Sequence, residues 1–145
     1  MKKEKICIIG TSLTGLTTAL ALSDLNIEID LIGKFKFNQG HLDNRTTAIS
    51  PSNYDFLLRL LGKKYSKLFK PSKKIELYYE NNEKYSNFMN FENKGKNLMY
   101  IIRNSKLIEI ILNKIKNKKK IKIINTDAKK IDEKETAVFF QNKKN

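Results

Sequence analysis

The hexapeptide Gly10-Thr11-Ser12-Leu13-Thr14-Gly15 joins two segments of different period, and that junction constrains the fold more than any other feature of the chain. Before it, Lys5-Ile6-Cys7-Ile8-Ile9 is a short continuous apolar run, which predicts a strand buried on both faces of a parallel sheet. After it, Leu16, Ala19, Leu20, Leu22 and Leu25 recur at helical spacing. Small residues at Thr17, Thr18, Ala19 and Ala21 let that helix lie close to a sheet, and Asn26 is expected to end it. Ile27-Glu28-Ile29-Asp30-Leu31-Ile32-Gly33 alternates and reads as a second strand. Strand, glycine turn, helix, strand predicts an α/β, three-layer, Rossmann-like domain.

The rest of the chain supplies further elements. Lys34 to Asn44 has no period and reads as a loop. Ser50-Pro51 predicts an N-cap followed by proline at the first helical position, opening a helix through Tyr54, Phe56-Leu57-Leu58 and Leu60-Leu61 to a stop at Gly62. Ile75 to Tyr79 and Tyr85 to Phe91 flank Asn81-Asn82-Glu83-Lys84, the pattern of an antiparallel hairpin. Met99 to Ile102 reads as a strand, and Asn104 or Ser105 caps a helix whose Leu107, Ile108, Ile111, Leu112 and Ile115 form one stripe. Ile121 to Ile124 is expected to be a third parallel strand, and Ala128–Ile131 with Ala137–Phe140 an antiparallel pair. We expect one domain over 1–145, with a Rossmann-like core at 1–70 and 98–125. A hairpin excursion occupies 72–95, and the end of the chain cuts short an antiparallel excursion at 126–145.

A nucleotide pyrophosphate carries two negative charges and needs donors that approach with no Cβ in the way. A glycine turn feeding a helix N-terminus offers backbone N–H groups and the positive end of a dipole. Gly10 and Gly15 hold the first and third glycine positions of the dinucleotide fingerprint, and Ser12 takes the middle one, where its hydroxyl can bond a phosphate oxygen. We therefore take Gly10, Thr11, Ser12, Leu13, Thr14 and Gly15 as the cofactor-binding turn; its alternative is a purely structural turn. The fingerprint also wants an acid at the end of the second strand, to accept the ribose hydroxyls. Gly33 stands there instead, and strand alternation turns Asp30 to the opposite face. Losing such a charge-assisted hydrogen bond costs about 1.5–3 kcal/mol.

Composition excludes several classes. With 145 residues, 40% of them apolar, the chain can bury a core. Its +14 charge comes from 29 Lys and Arg against 15 Asp and Glu, but 26 of the 29 are Lys, interspersed with 16 Asn and 18 Ile, a drift of composition along the whole chain. Nucleic acid is therefore a weak expectation: Lys116-Asn117-Lys118-Lys119-Lys120 reads first as a solvated cap complementing a helix dipole. A lone Cys7 and a lone His41 exclude a disulfide framework and Cys/His-ligated structural zinc within the chain, and no metal site is expected. Cys7 is expected to be a small buried hydrophobe and His41 an exposed loop residue. Tyr78, Tyr79, Tyr85, Phe88 and Phe91 are expected to be half-buried sheet residues rather than a stacking platform. The apolar runs are too short for a transmembrane helix or a signal peptide, and a cytoplasmic protein is expected.

Gly10 to Leu16 with Ala19, followed by Asp43-Asn44-Arg45-Thr46-Thr47-Ala48-Ile49-Ser50 and by Phe56-Leu57-Leu58-Arg59-Leu60-Leu61-Gly62, resembles the amino-terminal part of the FAD-dependent aromatic hydroxylases, in their ubiquinone-biosynthesis branch. Met99 to Ser105 with Leu107 resembles that family's later strand-to-helix junction, although relatives often have an acid in place of Arg103. The resemblance implies an FAD/NAD(P)-binding Rossmann-like fold with the beginning of a β-rich substrate domain. It implies a monooxygenase that takes electrons from NAD(P)H, uses oxygen, and hydroxylates an aromatic ring bearing a polyprenyl tail, at or near the inner membrane or within a biosynthetic complex. It also implies that the turn holds the ADP part of FAD and that Arg45 lies close to the cofactor; Arg45 is otherwise a solvated loop cation. The chain lacks the family's later Asp-Gly and Gly-Asp segments, so it is expected to be a fragment, a split product or a decayed copy, inactive alone, with its catalytic residues unknown. The alternatives are a truncated nucleotide-binding protein without catalysis and a basic nucleic-acid-binding domain.

Overall fold

The chain runs β1 (Glu4–Ile9), α1 (Leu13–Leu22), β2 (Ile27–Ile32), β3 (Thr46–Ile49), α2 (Pro51–Leu61), a 3-10 helix (Lys63–Leu68), β4 (Lys70–Ser72), β5 (Lys74–Asn81), β6 (Lys84–Glu92), β7 (Met99–Arg103), α3 (Asn104–Lys116), β8 (Ile121–Ile124), β9 (Ala128–Asp132) and β10 (Ala137–Phe140). The structure is a computed structural model that describes residues 4–35, 44–81, 84–132 and 137–140. His41, Asp43 and most of the Lys34 to Asn44 loop lie outside the described residues. The chain divides into two units, Met1–Asp43 with Ser105–Asn145, and Asn44–Asn104. Residues 44–70 and 98–104, which the sequence reading groups with the parallel core, thus fall in the second unit.

In the first unit β1, β2 and β8 form a parallel sheet in the order β1-β2-β8. Ile6 aligns with Ile29, Ile8 with Leu31, and Leu31 with Ile123, so the β-branched and leucine positions gather on one face. α1 packs on β1 and β2 and buries Leu16, Ala19 and Leu20 almost completely. Leu107, Ile110, Ile111 and Ile115 of α3 are buried as one stripe. Each such leucine or isoleucine contributes about 1.5–3 kcal/mol when taken fully out of water, which outweighs the modest helix propensity of Ile and Thr. β9 and β10 pair antiparallel, Val138 opposite Ile131, as expected.

The other face of this sheet corrects the reading of β1. The same register that aligns the isoleucines aligns Lys5 with Glu28, and Cys7 with Asp30 and Lys122. Lys5 and Asp30 form an ion pair at 2.8 Å. Lys5, Cys7, Glu28 and Lys122 are exposed, whereas Ile32, further along the face, is buried. β1 is therefore not buried on both faces, and Cys7 is not a buried hydrophobe. Its strand takes the pattern of its neighbour β2, where every second residue of the first four is charged.

α1 also ends earlier than expected. It stops at Leu22, where Ser23 sends both its amide and its hydroxyl to the carbonyl of Leu20, at 3.3 and 2.7 Å, and closes the last turn. The following residues are held from across the unit. Lys118 pairs with Asp24 at 2.6 Å, and the Lys120 ammonium donates to the carbonyl of Leu25 at 2.7 Å. Two lysines of the 116–120 run thus have partners within the chain.

In the second unit β7 is the middle strand of an antiparallel sheet, with β3 on one side and β4 on the other. β3, β4 and the 3-10 helix have no period long enough to read from sequence. α2 begins and ends where expected: Ser50 accepts from the Asn53 amide at 3.4 Å, Pro51 opens the helix, and the Gly62 amide donates to Leu58 at 2.9 Å. Leu57 and Leu61 are buried, and Tyr54 stacks on Tyr100 with centroids 3.6 Å apart and meets Phe69 edge-on. The Thr47 hydroxyl donates to the side-chain oxygen of Asn104, the residue that follows β7. β5 and β6 form the expected hairpin, with a register shift between Leu77 and Tyr78. The hairpin forms a two-stranded sheet by itself, so its aromatics lack the cover expected of them: Tyr78, Tyr79, Tyr85, Phe88 and Phe91 are all exposed, Tyr85 at 72%.

Candidate functional site

The carboxyl ends of β1, β2 and β8 converge on the glycine turn, and open α/β sheets present their ligand crevices at that edge. Gly10 leaves the β ladder with its amide donating to the Ile32 carbonyl at 2.8 Å, then adopts φ +121°, a conformation that L side chains rarely take. The position a Cβ would occupy on Gly10 has no atom within 4 Å, so the turn is open on that flank. Gly15 shows the opposite geometry. A Cβ there would run into the carbonyl oxygen of Gly10, so glycine lets the first turn of α1 close against the end of β1. The spacing of two glycines therefore has two separate physical causes, an open flank and a close approach.

Ser12 is the N-cap residue of α1, yet its side chain caps nothing, and the first turn of the helix has no acidic residue. The first helical bond runs from the Leu16 amide to the Ser12 carbonyl at 3.0 Å. That leaves the amides at the start of α1 without helical acceptors, and the dipole without a neutralising carboxylate. A dianionic group fits this arrangement: no Cβ on the open flank, unclaimed N–H donors, and a hydroxyl at Ser12 free of the helix.

Thr11 has a different task. Its hydroxyl donates to the Lys34 carbonyl at 3.0 Å, and its Cγ2 lies 2.7 Å from where a Cβ on Gly33 would stand. A side chain at the end of β2 would therefore press on Thr11. Gly33 donates its amide to the Ile124 carbonyl at 3.1 Å, and Phe35 donates its amide to the Asn125 side-chain oxygen at 3.0 Å. The Lys34 ammonium pairs with the Asp127 carboxylate. Lys34, Asn125 and Asp127 are residues at this edge that the sequence reading did not single out. A polar Asn-Thr-Asp run directly after a third parallel strand was the available signal.

Six of the seven expected residues, Gly10 to Gly15, come together in the first unit. Arg45 belongs to the second, just before β3, where its carbonyl accepts the Asn104 amide at 3.0 Å. A shallow depression of about 450 Å³ lined by Lys5, Ile27, Glu28, Asp30, Lys120 and their neighbours sits at the amino ends of the same strands. It is at the wrong edge of a parallel sheet for a nucleotide, and its charged heads already include the Lys5–Asp30 pair. Among the described residues no group of three or more His, Cys, Asp or Glu could hold a metal, and no helix is long and apolar enough to cross a membrane.

With this geometry the class of fold is defined: a mixed α/β chain built on a parallel strand-helix-strand unit, the fold of part of the FAD-dependent monooxygenases. Several solved proteins superpose on it. 2-Methyl-3-hydroxypyridine-5-carboxylic acid oxygenase aligns over 88% of this chain and 33% of its own, at 18% identity and TM-score 0.63. p-Nitrophenol 4-monooxygenase from Pseudomonas putida aligns over 90% and 34%, at 16% identity and TM-score 0.64. CtdE, solved in complex with FAD, aligns over 88% and 31%, at 15% identity and TM-score 0.59. The chain spans about a third of the length of each of these proteins. No protein-family model and no curated protein matches the sequence.

Proposed function

We propose that the chain binds the ADP portion of FAD at Gly10 to Gly15 and forms the nucleotide-binding part of a flavin-dependent aromatic monooxygenase. The observation that supports this most directly is the turn itself: open at Gly10, closed tightly at Gly15, with the leading amides of α1 unclaimed. Backbone N–H groups from residues 11–15 would bond the pyrophosphate oxygens, with the Ser12 hydroxyl as an added donor. The resemblance alone adds Arg45 to this reading, as a guanidinium with forked donors for cofactor oxygens. FAD, when bound, supplies the electron transfer and the reaction with oxygen; this chain's residues bind and orient it. The finer reading, a polyprenylated aromatic ubiquinone precursor as substrate with NAD(P)H as donor, rests on the resemblance of Asp43 to Ser50 and Phe56 to Gly62.

The test is binding rather than turnover. Purified protein titrated with FAD and with ADP should give saturable heat and quenched flavin fluorescence. Gly15→Ala, which forces the Gly10 carbonyl aside, should weaken both ligands by about tenfold or more. A protein that takes up neither ligand would remove the reading. ADP binding without FAD binding would instead favour a nucleotide-binding protein with no flavin, a reading that the missing acid at Gly33 also supports.

A further inference from the structure

We propose that the ribose of the bound nucleotide is anchored by Asp127, at the end of β8, in place of the acid that ordinarily ends the second strand. The inference rests on the nucleotide reading above. A ligand whose diphosphate sits on Gly10 to Gly15 carries its adenosine ribose toward the end of β2, where a carboxylate normally accepts both hydroxyls. A carboxylate side chain at position 33 would crowd Thr11. A Cβ there would lie 2.7 Å from Thr11 Cγ2 and 3.3 Å from the Thr11 amide nitrogen. Lys34 follows, but an ammonium only donates, so its side chain cannot accept the ribose hydroxyls.

The neighbouring strand brings a carboxylate to the same edge. Ile32 and Ile124 are in register, the Gly33 amide bonds the Ile124 carbonyl, and Asn125 holds the Phe35 amide, so the segments leaving β2 and β8 are fastened side by side. The Thr126 amide turns back to Ile124 at 3.0 Å, and Asp127 comes next with its carboxylate on the Lys34 ammonium. Its side chain is 49% exposed, and a carboxylate has about four lone-pair sites, so acceptor capacity remains after Lys34 is paired. Lys34 offers a second ligand chemistry, a phosphate on the ribose. The pairing argues against it: an added phosphate would face the Asp127 carboxylate, whereas a neutral diol joins the pair without breaking it.

Calorimetry on the full chain with ADP, 2′,3′-dideoxy-ADP and adenosine 2′,5′-bisphosphate tests the proposal. The unaltered protein should bind ADP about 10- to 100-fold more tightly than the dideoxy compound. Asp127→Ala should bring that ratio to about one, because the ratio cancels any general effect of charge or folding. An unchanged ratio in Asp127→Ala, equal affinities in the unaltered protein, or a preference for the 2′-phosphorylated ligand would each overturn the anchor while leaving nucleotide binding intact. Failure of the unaltered protein to bind ADP at all would overturn both.

Discussion

Single residues decide more at the turn than their sizes suggest. Gly33 reads in sequence as a missing acid, and the structure gives the reason as Thr11 Cγ2. Gly33→Ala should therefore destabilise the protein by about 1–3 kcal/mol, the range for overpacking at a close contact. Thr11→Ser removes the methyl and should restore part of that loss in the double variant. Urea midpoints of the four proteins give the coupling directly, and purely additive losses would break the link between the two positions. Cys7 makes a separate prediction. Partial burial first, and then the Asp30 carboxylate, hold its thiol above the ordinary range, yet the residue is exposed. Native protein should accept one equivalent of iodoacetamide, slowly at neutral pH, and the rate should keep rising at pH values where an ordinary thiol, with a pKa of about 8.5, has already reached its plateau. Neither the Thr11 contact nor the facing of Cys7 was legible in the sequence. Both depend on which residues stand opposite one another across strands, and a run such as Lys5-Ile6-Cys7-Ile8-Ile9 does not say which of its faces is covered.

At the level of elements the legible parts were those with a period and a stop. α2 announced itself by Ser50, Pro51 and Gly62, α3 by its isoleucine and leucine stripe, and β2 by strict alternation. β3 and β4, of four and three residues, are strands only because β7 lies between them, so no local signal marks them. The early end of α1 has a comparable cause: Leu25 fits the helical period, but the chain there is held from α3's side by Lys118 and Lys120. Asp24 titrates with that latch. The Lys118 ammonium bonds the Asp24 carboxyl and holds it below its usual range. A carboxyl lowered in the folded state stabilises above its unfolded pKa and loses that contribution as pH falls through the lowered value. The stability gap between the parent and Asp24→Asn should thus be widest near neutrality, close on acidification through the carboxylate range, and narrow with added salt. Urea melts at several pH values check it; a gap that widens in acid would reverse the sign.

For the molecule as a whole, the fold class was legible because one strand, one glycine turn and one amphipathic helix admit few continuations. The division at Asp43/Asn44 and Asn104/Ser105 was not, since no change of composition marks either point. Nor was the exposure of the hairpin, whose aromatic alternation looks the same with or without a cover. Tyr78, Tyr79, Tyr85, Phe88 and Phe91 together give the second unit an apolar surface larger than isolated exposed residues would. The native protein should bind a hydrophobic dye such as ANS with enhanced fluorescence, and Phe88→Ser with Tyr85→Ser should reduce that signal without altering ADP binding. A dark dye in the native protein would show those rings to be covered in solution.

The charged side of the three parallel strands has one more consequence. Sheets of this kind ordinarily need a layer of helix on each side before they are at ease in water. Here Lys5, Glu28 and Lys122 are solvated and Asp30 is matched, so the strands can come into line while that side is still wet. Among the described residues α1 covers the apolar side of these strands with Leu16, Ala19 and Leu20, while the charged side needs no such cover to stay in water.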